Sequence, residues 1–128
     1  MNISFIIPCY NCEDYIKKNI LRLYKKLKIS KIKFEIILID DFSSDKTYLR
    51  LNALRNKLPK LEVLINSKNV GKSFSQIRGI KICRYNYVIL IDCDLPYFNS
   101  IPNIIKNLKK NDMVIINRRL LGSRFEKN

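Results

Sequence analysis

The feature that most constrains this chain is a repeated order of unbroken apolar runs and longer amphipathic stretches. ISFII (3–7), FEIILI (34–39), LEVLI (61–65), NYVILI (86–91) and MVII (113–116) are short and do not alternate between polar and apolar residues. Val/Ile/Leu runs of that length read as strands covered on both faces. Between them the hydrophobic period lengthens. Ile16, Ile20, Leu23 and Leu27 share one helical face within 13–28, with Lys and Arg on the others. A second helix is expected to open at Ser44 or Asp45 as cap, to carry Leu51, Leu54 and Leu58, and to stop before Pro59. A third follows the SKNVGKS turn with Gly71 and carries Phe74, Ile77 and Ile80. A fourth has Pro102 in its first turn and Ile101, Ile104, Ile105 and Leu108 on one stripe. Strand–helix alternation of this kind predicts an α/β fold: a mostly parallel, Rossmann-like sheet with right-handed crossovers and helices on both faces. With 128 residues and no repeat, low-complexity tract or Pro/Gly linker, one domain over 1–128 is expected, ending in a basic tail at about 118–128.

A parallel sheet also says where chemistry belongs, because ligands bind beyond the carboxyl ends of its strands. Three runs end in conspicuous polar residues: Pro8-Cys9-Tyr10-Asn11, Asp40-Asp41 and Asp92-Cys93-Asp94. Parallel strands bring all three to one rim. Two acidic clusters meeting there repel each other unless a cation or hydrogen-bond donors fill the gap. The chain has no His, so a metal must be held by carboxylates or thiolates. Hard divalent ions take one or two carboxylates together with substrate phosphate oxygens, which a D-x-D at a strand end suits. The plainer alternative is that Asp92 and Asp94 cap a turn or the next helix.

Lys and Arg number 25 against 11 Asp and Glu, a net charge of +14 that favours anionic partners. A composition rich in Lys, Ile and Asn throughout accounts for the charge equally well. Lys17, Lys18, Arg22, Lys25, Lys26 and Lys28 spread over a helix surface without interleaved aromatics, so no specific nucleic-acid module is expected. The opening MNISFIIPCYNCEDY has no basic segment leading into a long apolar stretch, and no run approaches the ~20 residues of a membrane span. A cytoplasmic chain with at most peripheral membrane contact is therefore expected, its four cysteines reduced. Cys9-x-x-Cys12 between a strand and a helix imitates a thioredoxin-like redox site. A zinc site is disfavoured because Cys83 and Cys93 lack a paired spacing. In a receiver-like phosphoacceptor domain the paired acids would follow the first strand, whereas here they follow the second.

Taken in order, these segments resemble family 2 glycosyltransferases over about residues 3–119. ISFIIPCYNCEDYI is similar to the family's opening strand and Pro-x-Tyr-Asn turn, and FEIILIDDFSSDKT to its DDxSxDxT segment. NVGKSFSQIRGI resembles its Gly-Lys-Gly stretch, YVILIDCDLP its D-x-D strand, and DMVIINRR the strand before a Ser-Arg pair. DCDLP and N-R-R resemble most the branch that glycosylates polyprenyl or dolichyl phosphates. The resemblance implies a GT-A fold, a nucleoside-diphosphate sugar, Mg²⁺ or Mn²⁺, and inverting transfer. Carried over by position, it implies that Pro8 and Tyr10 line base and ribose, Asp41 bonds the base, and Lys72 lies near the diphosphate. Glu13, one residue late for the family's acid because Cys12 takes its place, is assigned to the same donor site. Asp92 contacts ribose or metal-bound water, Asp94 ligates the metal, and both count as metal residues. Asp94 and Arg118 are the expected catalytic pair. Arg118, Arg119 and Arg124 are expected to hold an acceptor phosphate, with the basic surface on anionic lipid. Phe42 and Ser73 stand where the family has glycines. The chain stops before the family's acceptor-binding half, so a truncated or minimal member is expected. A lipid phosphate is already an anion and needs no general base, so such a member could still act. The alternatives are a donor-binding domain or fragment that needs a partner chain, and a homo-oligomer.

Overall fold

A computed structural model describes residues 1–115 of the chain. They fall into two compact units, Met1–Leu95 and the residues from Pro96 onward. The first holds four strands and three helices in strict alternation: β1 (Asn2–Cys9), α1 (Ile16–Ile29), β2 (Lys33–Asp40), α2 (Thr47–Lys57), β3 (Leu61–Ile65), α3 (Lys72–Ile82) and β4 (Tyr87–Leu90). All strand pairs are parallel, in the order β3-β2-β1-β4. The second unit has a 3₁₀ turn at Phe98–Ser100 and α4 (Ile101–Leu108), in which Ile101, Ile105 and Leu108 are buried.

The order of the strands sets the faces. β1 to β2 to β3 moves one way across the sheet, so right-handed crossovers put α1 and α2 on one side; the return to β4 puts α3 on the other. Side chains confirm it. Tyr24 of α1 meets Phe34 of β2 edge-on at 5.4 Å. Ile6, Ile37 and Ile39, of opposite parity, form the core cluster on the α3 side. There Gly79 lets the helix lie close: a Cβ on it would stand 2.6 Å from Ile6 Cγ2 and 3.0 Å from Ile39 Cδ1.

Two expectations are corrected. Phe74, Ile77 and Ile80 are not the packing face of α3; Phe74 is 68% exposed, and the buried positions are Ser75 and Gly79. Close packing against branched isoleucines selects small residues, which a hydrophobic-period reading passes over. The fifth strand is likewise not formed over 113–115, where Met113 and Ile115 are 73% and 77% exposed. Residue 116, the remainder of that run, lies outside the described residues.

Candidate active site

The sheet reverses its winding between β1 and β4, and the crevice of an open α/β sheet lies at that reversal. A cavity of about 490 Å³ occupies it, lined by Pro8, Cys9, Tyr10 and Tyr15 from the β1 side, Asp41, Asn69, Gly71 and Lys72, and Asp92, Cys93 and Asp94 beyond β4. Pro8, Tyr10, Asp41, Asp92 and Asp94 are thus brought together from the three strand ends that the sequence singled out, and Lys72 joins them from the start of α3. Glu13 is not. Its carboxylate accepts from Lys46 N at 3.1 Å, and its own N–H donates to Asp45 at 3.2 Å, which ties the β1–α1 loop to the start of α2. Arg118, Arg119 and Arg124 lie outside the described residues.

The two acids of the Asp40-Asp41 pair point to opposite faces, as period-two strand geometry requires. Asp40 is fully buried and takes the Ser43 hydroxyl at 2.5 Å; burial pushes its carboxyl above the usual range despite that bond. Asp41 turns toward α3. It accepts from Asn66 Nδ2 and Val70 N at 2.8 Å and from Gly71 N at 2.9 Å, and its carbonyl takes Asn69 Nδ2 at 3.2 Å. α3 has no side-chain cap of its own. Asp41, just past β2, instead takes the N–H groups of Val70 and Gly71 in the turn that leads into the helix, which sets its charge near the helix's positive end. Burial alone would raise its carboxyl, but the bonds from Val70, Asn66 and Gly71 outweigh it and hold the group below its ordinary value.

The rest of the DDxSxDxT segment laces loops together. Asn11 N donates to Ser43 Oγ at 3.0 Å, Ser44 N to Asn11 Oδ1 at 2.9 Å, and Cys12 N to Thr47 Oγ1 at 2.9 Å. Asp45 accepts Thr47 N at 2.9 Å and so caps α2 from one position before Lys46. Two of the turns at the rim require left-handed backbone at non-glycine residues, Asn11 at φ 45° and Phe42 at φ 59°. Phe42 is 54% exposed, so little packing offsets the strain, and the conformation explains a family glycine at this position.

At the β4 end Lys72, the first residue of α3, forms an ion pair with Asp92. Asp94 stands exposed at the same rim. Among the described residues no three His, Cys, Asp or Glu side chains form a ready metal cage. Hard carboxylate oxygens without a closed cage suit Mg²⁺ or Mn²⁺ shared with a phosphorylated ligand. Below the rim the thiols of Cys9, Cys12 and Cys93 lie near enough to shift one another's ionisation. Cys12 and then Cys9 pull Cys93 far down; Cys12, Cys93 and burial push Cys9 up; Cys9 draws Cys12 down, but Cys93 and burial outweigh it and push Cys12 up to about 12. Tyr15, its hydroxyl 3.6 Å from the Cys93 sulfur, is pushed up by burial and by that sulfur. The sequence reading missed Asn66, Asn69 and Ser75 around Asp41, and the meeting of Cys93 with Cys9-x-x-Cys12. The available signal for the first was a polar run directly after a buried strand.

The model for glycosyl transferase family 2 matches residues 4–125. A dolichol-phosphate mannosyltransferase of Pyrococcus furiosus is 30% identical over 98% of this chain and 36% of its own length. The crystal structure of Staphylococcus aureus TarS 1–349 in complex with UDP-GlcNAc is 28% identical over 84% of this chain and 32% of its own, with a TM-score of 0.64. A mannosyltransferase from Pyrobaculum calidifontis in complex with GDP-Man and Mn²⁺ shares the fold at a TM-score of 0.68, with 20% identity over 81% of this chain and 31% of its own. The chain spans about a third of the length of the curated relatives it matches. Among the described residues no helix is long and apolar enough to cross a membrane.

Proposed function

The chain belongs to glycosyl transferase family 2, with a GT-A-like fold, and from that premise we propose that it transfers a sugar, with inversion, from a nucleoside-diphosphate sugar to a polyprenyl phosphate. The observation that carries this reading is the convergence of Asp41, Lys72, Asp92 and Asp94 on one cavity at the winding reversal. Tyr10 and Pro8 offer faces for base and ribose. Asp41 has accepted three N–H groups already, so its role is to hold the Asn66–Gly71 loop against the ligand, with at most a lone pair left for the base. Lys72 neutralises Asp92 until a diphosphate replaces it as partner. Asp92 and Asp94 would hold Mg²⁺ or Mn²⁺, which when bound supplies positive charge to a departing diphosphate.

The acceptor phosphate oxygen attacks the anomeric carbon in line, and the bond from that carbon to the nucleoside diphosphate breaks. A phosphate acceptor is anionic near neutral pH, so no side chain need take a proton. Arg118, Arg119 and Arg124 are proposed to hold that phosphate at the cytoplasmic face of a membrane, where a net charge of +14 favours anionic lipid.

Thermal denaturation with each nucleoside diphosphate, with and without Mn²⁺, tests the donor. One nucleotide at a hundredfold excess over its Kd should stabilise the protein by about 2.7 kcal/mol, and only when the ion is present. Equal melting in every condition refutes donor binding. Transfer to polyprenyl phosphate measured on the same samples tests catalysis; binding without turnover marks a donor-binding domain that needs a partner chain.

A further inference from the structure

α1 and α2 lie side by side on one face of the sheet, and their charge is one-sided. Nine of the chain's 25 Lys and Arg residues fall within Ile16–Ile29 and Thr47–Lys57, and none of its 11 Asp and Glu does. An even spread of both signs along the chain does not give that split. Cations at the carboxyl end of a helix are favourable, which accounts for Lys26, Lys28, Arg55 and Lys57. Lys17, Lys46 and Arg50 stand at the opposite ends: Lys17 in the first turn of α1, Lys46 as the N-cap residue of α2 and Arg50 in its first turn. The helix dipole disfavours cations there, and neither first turn carries an acid. Asp45, next to Lys46, is already committed to Thr47 N and Glu13 N.

These three cations converge. A groove of about 310 Å³ between the two helices has Lys17, Lys46, Arg50 and Lys57 around a floor of Leu21 and Leu54. Leu49, 65% exposed, and Ala53 complete the lining, which holds no acid and no aromatic ring. None of the four cations forms an ion pair with an acid of the described residues. An adjoining hollow adds Lys18, Arg22 and Lys25 against Glu13 and Asp14, so positive charge continues along α1. Cations gathered without counter-charge repel one another unless an anion lies among them. Free phosphate would leave the leucines in water, and a nucleic acid finds no ring to stack on. The phosphate of a membrane lipid, with its acyl chains beneath, matches cationic rim and apolar floor together.

We propose that the α1–α2 groove docks this chain on a bilayer of anionic phospholipid, with a lipid phosphate among Lys17, Lys46 and Arg50 and Leu49 entering the headgroup region. Both helices begin at the carboxyl end of the sheet, the end at which the cavity opens. Docking by this end keeps the cavity rim at the lipid surface, from which an acceptor phosphate would come. That consequence rests on the transferase reading; the docking does not.

The test is co-sedimentation of the full chain with vesicles of phosphatidylcholine and phosphatidylglycerol, beside phosphatidylcholine alone. The mixed vesicles should carry the protein down and the neutral ones should not. Each cation lost near an anionic surface weakens binding about fivefold, so Lys17→Gln/Lys46→Gln/Arg50→Gln should bind about a hundredfold more weakly. Lys31→Gln/Lys33→Gln/Lys81→Gln removes the same net charge at exposed positions outside the groove. It should lose no more than about fivefold, because charges beyond a Debye length are screened. Leu49→Gln should weaken binding about tenfold, a loss that survives high salt. All these side chains are exposed, so urea midpoints should match the parent's. Equal losses in the two triple variants, an unaffected Leu49→Gln chain, or equal sedimentation with neutral vesicles overturns the proposal. So does displacement by free glycerol phosphate at matched phosphate concentration, or tighter binding of duplex DNA that the groove triple alone abolishes. Vesicle binding without sugar transfer fails the transferase reading alone; transfer in detergent by a chain that ignores mixed vesicles fails the docking alone.

Discussion

Replacing Asp41 by Asn removes one charge while leaving the side chain's shape almost intact. The carboxylate is 4% exposed and accepts from Asn66, Val70 and Gly71 at 2.8 to 2.9 Å. An amide that keeps its oxygen toward Asn66 and Val70 turns its N–H₂ against the Gly71 N–H, so two donors face each other with no acceptor between them. Losing a hydrogen bond to a charged group costs about 1.5–3 kcal/mol, and stranding a buried donor about 1–3 more. Asp41→Asn should therefore destabilise by about 3–5 kcal/mol, a large share of a small domain's total. The bonds hold the folded carboxyl below its unfolded value despite burial. Its contribution is thus full above the unfolded pKa of about 3.9 and disappears as pH falls through the lower folded value. Urea unfolding at stepped pH should give a gap between the two proteins that is widest near neutrality and shrinks below about pH 4. A neutral-pH gap under about 0.5 kcal/mol, or one that persists unchanged into acid, refutes the anchoring role given to Asp41.

Gly79→Ala forces a methyl against Ile6 Cγ2 at 2.6 Å and should cost about 1–3 kcal/mol, less about 1 regained in helix propensity; Ile6→Leu, which lacks that methyl, should recover part of it in a double-mutant cycle by urea unfolding. Phe42→Asn relieves left-handed strain at an exposed position and should raise stability by about 1 kcal/mol, read as a higher melting temperature. Glu35→Gln should cost about 1–2 kcal/mol, because buried Glu35 takes Ser4 Oγ and Arg84 N, each at 2.6 Å; most of the loss should persist at high salt, since Arg84 is exposed. Asp92→Asn and Asp94→Asn should each remove the Mn²⁺-dependent part of nucleotide stabilisation, seen as coincident melting curves with and without the ion, and retention of the full increment in both would exclude them as metal ligands.

Apolar patterning alone led to the four parallel strands, their intervening helices and a polar rim at the carboxyl ends, because buried strands and amphipathic helices each leave a period that burial imposes locally; it also predicted a fifth strand from 113, which is not formed over 113–115. It also put Pro8, Tyr10, Asp41, Asp92 and Asp94 on that rim, since residues just past a buried parallel strand have nowhere else to go, whereas Lys72 was assigned to the site only by the family resemblance. It misread α3, where contact is made by Ser75 and Gly79 and not by Phe74 or Ile77. Which side of a helix packs depends on how near its neighbour lies, a distance absent from any single segment. Adjacent Asp40 and Asp41 look equivalent in the chain, yet only the fold separates a buried anchor for Ser43 from the anchor of the turn before α3. The gathering of Cys9, Cys12 and Cys93 depended on tertiary structure too, because β4 pairs with β1 instead of β3, and that pairing is a global choice of sheet order rather than a local property of either strand.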